Sequence, residues 1–121
     1  MKTSVNFEIA KLLTHTDFNQ KSVDEGYVIS TGELSHDYPL DYMNGKAIAA
    51  PTIAEVVMWF YEKHGIWISI EQNTYEDKFD YLITQRNEDS SWFVVGNDEK
   101  IIKSPTEAYE AAIEYTLKHL I

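Results

Sequence analysis

His36 and Asp37 form the one adjacent histidine–carboxylate pair in the chain. Imidazole and carboxylate together could ligate a divalent metal. Neighbouring positions share neither a helical nor a strand face, so joint ligation at 36 and 37 requires a loop. The other histidines, His15, His64 and His119, are scattered, and no H-E-x-x-H spacing brings two onto one helical face. The acidic groups Glu76-Asp77 with Asp80, Glu88-Asp89 and Asp98-Glu99 do not follow the calcium-loop pattern and read as solvated hairpin turns. No metal site is expected. The chain has no cysteine, which excludes thiolate zinc sites and a cysteine nucleophile. No serine lies in a glycine-flanked elbow, and the five glycines, at 26, 32, 45, 65 and 96, build no phosphate loop. Paired carboxylates are always available among 20 acidic residues, so they discriminate nothing. Neither a cofactor nor a catalytic residue is expected.

The stretch PTIAEVVMWFYEKHGIWISI, residues 51–70, is the densest apolar and aromatic part of the chain. Ile53, Val57, Phe60 and His64 share one stripe at 100° per residue; Ala54, Val56 and Tyr61 broaden it, and Met58 and Trp59 flank it. His64, one residue before Gly65, suits the last helical carbonyls and the helix dipole. Beyond the glycine, Ile66, Ile68 and Ile70 alternate with Trp67, Ser69 and Glu71. The isoleucines should face helices. Trp67 then falls on the opposite, partly wet face, shared with Asp80 and Thr84, where an aromatic ring is a contact surface for a partner.

Three helices and a sheet must position these groups. The first helix is expected over Val5 to His15, capped by Ser4 or Asn6, with Phe7, Ile9, Ala10, Leu12 and Leu13 apolar. The second carries a T-x-x-E capping box, Thr52 with Glu55, and a left-handed cap at Gly65. The third starts at Ser104 with proline at its first position; Tyr109, Ala112, Ile113, Thr116 and Leu120 form one face, and Glu114 is spaced to pair with Lys118. Between helices two and three, alternation over 66–71 and 79–84 and the run Trp92 to Val95 predict a three-strand antiparallel meander. Lys100 to Lys103 extends the sheet or leads into the last helix. Residues 21–50 predict a short strand at Tyr27-Val28-Ile29, a turn at Asn44-Gly45 and a second short strand over Lys46 to Ala49. Pro39 makes SHDYPLDYMNG a loop. The fold class is therefore α+β, the meander plus one or two short strands with three helices on one face.

The 121 residues suggest one domain, 1–121. With 44% hydrophobic and 25% charged residues the chain has ordinary globular composition. The longest apolar run, Val56 to Tyr61, is far short of the roughly 20 residues of a membrane span. Glu8 and Lys11 interrupt the apolar core a signal peptide would need, so a cytoplasmic location is expected. A net charge of −10 argues against direct nucleic-acid binding, which needs a basic face, and is ordinarily a matter of solubility.

The blocks FEIAKLL, APTIAEVVMWFYEKHGIWISI and SPTEAYEAAIEYTLKHLI, together about 45 residues, resemble small proteins encoded in bacteriophage and prophage genomes of anaerobic gut bacteria. Those proteins carry no known activity. The resemblance implies a phage accessory protein inside a bacterial host and transfers no functional residue.

Three functional readings are open. The first is a non-catalytic module that binds a protein partner or itself, as a homodimer, through the open sheet face and the acidic turns. The second is a small-molecule or enzymatic pocket between the second helix, the sheet and the 35–44 loop. The third is a nucleic-acid mimic, which requires carboxylates spaced like phosphates along one face. The candidate binding residues are Trp67, Trp59, His64, His36 and Asp37.

Overall fold

The computed structural model describes residues 3–97 and 102–121. Asp98-Glu99 of the acidic groups, and Lys100 and Ile101 of the expected link over 100–103, lie outside the described residues. The fold is α+β, with four α-helices and two antiparallel sheets among the described residues. The chain divides into two compact units, 1–55 and 56–121, and the division falls within one helix.

In the first unit, α1 (Phe7–Leu13) starts at Asn6, whose side chain accepts the Ile9 N–H at 2.9 Å. Ile9, Ala10 and Leu13 are fully buried, and Glu8 pairs with Lys11 on the outer face. The helix is shorter than expected because Asn6, not Ser4, caps it; Ser4 instead bridges to Thr52. Strands β1 (Gly26–Val28) and β2 (Ala47–Ala49) pair antiparallel, Gly26 opposite Ala49. Glycine is required at 26, since a Cβ there would run into the Tyr38 ring.

The expected 35–44 loop is a helix, α2 (Tyr38–Met43). Asp37 is its N-cap, accepting the Leu40 N–H at 3.4 Å. Pro39 lies in the first turn, where a missing N–H leaves no intrahelical bond unmade, so it favours a start as readily as a loop. Asn44 closes the helix, and Gly45 follows at φ +72°. The Asn44-Gly45 pair thus ends a helix instead of turning a hairpin.

Helix α3 (Ile53–Trp59) begins at the expected capping box: Thr52 Oγ1 accepts the Glu55 N–H at 3.2 Å, and Glu55 accepts the Thr52 N–H at 3.1 Å. Its continuation is not α-helical. Residues Phe60–His64 form a π-helical turn, ended by Gly65 at φ +62°.

The second unit is built on a meander in the order β3 (Ile66–Asn73), β4 (Lys78–Arg86), β5 (Trp92–Asn97). The turn after β3 is held by Asn73, whose side chain accepts the N–H groups of Tyr75 and Glu76. The turn after β4 is held by Asp89, which accepts from the Ser91 N–H and hydroxyl; those two bonds keep its carboxyl below the usual carboxylate range.

Helix α4 (Pro105–His119), capped by Ser104, packs on β3 and β4. Ala108, Ala112, Ile113, Thr116 and Leu117 are buried, along with Ile66, Ile68, Tyr81 and Ile83 of the sheet. The buried stripe is rotated from the expected one, with Ala108 and Leu117 inside and Tyr109 and Leu120 at its margins. Small residues let the helix approach the sheet: a Cβ on Gly96 would stand 3.0 Å from the Tyr115 ring and 3.1 Å from Ile83. Glu114 and Lys118 pair at 2.6 Å on the outer side.

Candidate functional site

Strand register sorts the side chains of the meander onto two faces. Trp67 is opposite Thr84, Ser69 opposite Leu82, and Glu71 opposite Asp80. Opposed residues share a face, so this set lies away from α4, on the side expected for Trp67. A bulge decides what β5 adds. Thr84 pairs with Val94, but Ile83 pairs with Gly96, leaving Val95 as the extra residue. Alternation changes phase there. Trp92 and Val94 stay on the open face with Arg86 and Thr84, while Gly96 turns toward α4.

At the end of the sheet where β3 starts and β4 ends, the π turn supplies a third ring. Tyr61 meets Trp67 edge to face, centroids 5.6 Å apart and planes at 78°. It lies nearly parallel to Trp92, at 6.2 Å and 4°. The Arg86 guanidinium stands 5.7 Å from both the Tyr61 and the Trp92 centroid, within reach of a cation–π attraction to each. Met58, Tyr61, Trp67, Thr84 and Trp92 line a shallow cleft of about 500 Å³. Its lining is almost wholly apolar, and the Thr84 hydroxyl is turned toward the Trp67 carbonyl at 3.5 Å. Trp67 and Trp92 are each 40% exposed, Met58 44% and Val94 57%.

The same face ends in charge. Glu71, Lys78, Asp80, Leu82 and Asn97 border a second depression of about 290 Å³. Lys78 bridges Asp80 at 3.1 Å and Glu76 at 3.5 Å, and these contacts, the Asp80 hydrogen bond foremost, raise its ammonium pKa.

The candidate residues fall into separate groups. Trp67 is in the aromatic cleft. Trp59 and His64 contact each other at 4.9 Å, ring edge to face. Residues five apart are 140° apart on an α-helix; the i→i+5 bonding of the π turn lets these two meet. His64 therefore leaves the middle of the apolar stripe for its margin. Its Nε2 is buried and has no hydrogen-bond partner among the described residues. His36 and Asp37 belong to the first unit, where His36 is exposed and Asp37 caps α2. Among the described residues, no three His, Cys, Asp or Glu side chains converge as metal ligands would.

Tyr61, Trp92 and Arg86 were not singled out by the sequence. Tyr61 reads as a broadening of the helix stripe, and only the π turn swings it to the sheet. Trp92 opens a run without alternation, WFVV, whose faces the bulge assigns. Arg86, the chain's single arginine, was open to notice on that ground alone.

Among the described residues, no helix is long and apolar enough to cross a membrane. In comparisons with known proteins, no family model matches the chain, and no curated protein or solved structure matches it.

Proposed function

We propose that the chain is a non-catalytic interaction module that engages a protein partner, or a second copy of itself, through the open face of the β3–β4–β5 sheet. The observation that carries this reading is the assembly of Tyr61, Trp67 and Trp92, from three different elements, into one exposed apolar cleft. Aromatic side chains held rigid and exposed lose little conformational entropy on binding and bury much area, so they dominate contact energies. Among the described lining residues no histidine or carboxylate stands beside the Thr84 hydroxyl as a base, and that hydroxyl is turned to a backbone carbonyl. On the resemblance of its three sequence blocks, we place the module among phage accessory proteins of a bacterial cytoplasm.

The test is Trp67→Ser, compared with wild type by sedimentation velocity and by pull-down from host lysate. Loss of self-association or of one abundant partner, with unchanged far-UV circular dichroism, is the expected outcome. Identical profiles for both proteins would remove the cleft from consideration.

A second reading has its own support. A volume of about 500 Å³ is within the range of small-molecule sites, and the cleft lies between the π turn and the sheet. A thermal-shift screen that finds a small apolar ligand whose effect is lost in Trp67→Ser would favour it.

A further inference from the structure

Resting on the interaction reading above, the polarity of the open face specifies the partner's chemistry. We infer that the face binds an extended, basic segment of another protein, with one aliphatic or proline side chain in the aromatic cleft and a cationic group about four residues away at Glu71 and Asp80.

Three observations lead there. First, the apolar and charged ends of the face are fixed relative to one another by strand register. Trp67 and Thr84 mark one end, Ser69 and Leu82 the middle, and Glu71 and Asp80 the other. Two pleat repeats separate the ends, or ~13 Å at strand rise. An extended peptide crosses that distance in about four residues. Leu82, 38% exposed, offers apolar surface midway.

Second, the signs of the ends differ. At the charged end, among the described residues, Glu71, Glu76, Asp77 and Asp80 stand against two ammonium groups, Lys78, shared between Asp80 and Glu76, and Lys103, beside Asp77. Two carboxylate charges are left over. At the aromatic end a cation, Arg86, is held against Tyr61 and Trp92. The separation exceeds a Debye length of about 8 Å at physiological salt, so Arg86 neither cancels the acidic end nor repels a cation bound there. It does disfavour a cation in the cleft itself, which leaves the cleft to an uncharged side chain.

Third, the charge of the chain selects against the other occupants. A second copy brings another net charge of −10, and nucleic acid brings phosphates, onto a face whose polar end is acidic. A basic segment gains from the same field.

The experiment is an array of acetylated twelve-residue peptides, each with one leucine and an Arg-Arg pair placed one to seven residues from it, with Glu-Glu counterparts. Wild-type full chain and two variants, Trp67→Ser and the double Glu71→Gln/Asp80→Asn, are each applied after their circular dichroism is matched. The expected result is retention peaking at a separation of about four residues for Arg-Arg peptides and absent for Glu-Glu. Trp67→Ser should weaken it about thirtyfold, and the double variant about two- to tenfold. Retention that ignores the sign of charge but needs Trp67 overturns the basic-segment inference and leaves the interaction face standing. So does an empty array with a wild-type dimer that Trp67→Ser dissolves, which assigns the face to a second copy. An empty array with a monomer that finds no partner in lysate overturns both.

Discussion

Tyr61 and Trp92 hold their ring planes within 4° of parallel, although one belongs to a π turn and the other to the first position of a strand. Arg86 stands equally far from both. It is exposed, so its contribution should be modest, about 0.5–1 kcal/mol. Arg86→Ala should lower the unfolding free energy by that amount and change the near-ultraviolet circular dichroism of the aromatic cluster. Arg86→Lys should retain the charge but lose the planar stacking, and recover only part of either signal.

Gly96→Ala should destabilise the second unit by roughly 1–3 kcal/mol, because the added methyl meets both the Tyr115 ring and Ile83. Both neighbours are in the interface between sheet and α4, so the position has little room to relax. Chemical denaturation gives the value directly. An unchanged midpoint would mean that α4 stands farther from β5 than described.

Tyr38 titrates far from its ordinary value. Burial, aided by Tyr42, pushes its hydroxyl up to about 12. The unfolded chain loses this proton near pH 10, the folded chain near 12. Between those values the folded state binds more protons, so stability falls as pH rises through the window. The loss should total about 1–2 kcal/mol, allowing for residual solvent access to the hydroxyl. Tyr38→Phe should flatten that part of the pH–stability curve, while costing the bond from the hydroxyl to the Gln20 carbonyl at neutral pH.

Asp37 separates a structural from a binding role. As the cap of α2, its replacement by alanine should cost about 0.5–1 kcal/mol, and Asp37→Asn should restore most of it, since asparagine caps equally well. Urea denaturation of the pair would decide. A large effect of Asp37→Asn on stability would show that the charge, not the cap, matters.

The parts of the fold legible in the sequence are those specified locally. The Thr52–Glu55 box, the Ser104 cap, the left-handed Gly65 and the Glu114–Lys118 pair depend on residues within a turn of each other, and each is where the spacing puts it. The outward face of Trp67 follows from strict alternation with three isoleucines. Helix α2 was hidden because six residues are too few to display a period and Pro39 signals loop and helix start alike. The candidate site was half legible for a different reason. Trp67 is placed by β3 alone, but Tyr61 needs a π turn and Trp92 a bulge. Both are irregularities of one residue, selected by long-range packing, with no pattern of their own.

The bulge at Val95 also bears on lateral aggregation. The segment Trp92–Asn97 carries no charge, is rich in β-branched and aromatic residues, and is an edge strand of its sheet among the described residues. Such a strand is a template for lateral growth by another chain, the first step toward fibrils. An extra residue bends the strand and breaks its regular ladder of donors and acceptors, so a flat incoming strand cannot match it along its length. Removing Val95 would straighten β5 and bring its phase into line throughout. The variant should then lose solubility before it loses helix, with thioflavin-positive aggregates forming at concentrations where the wild type remains clear.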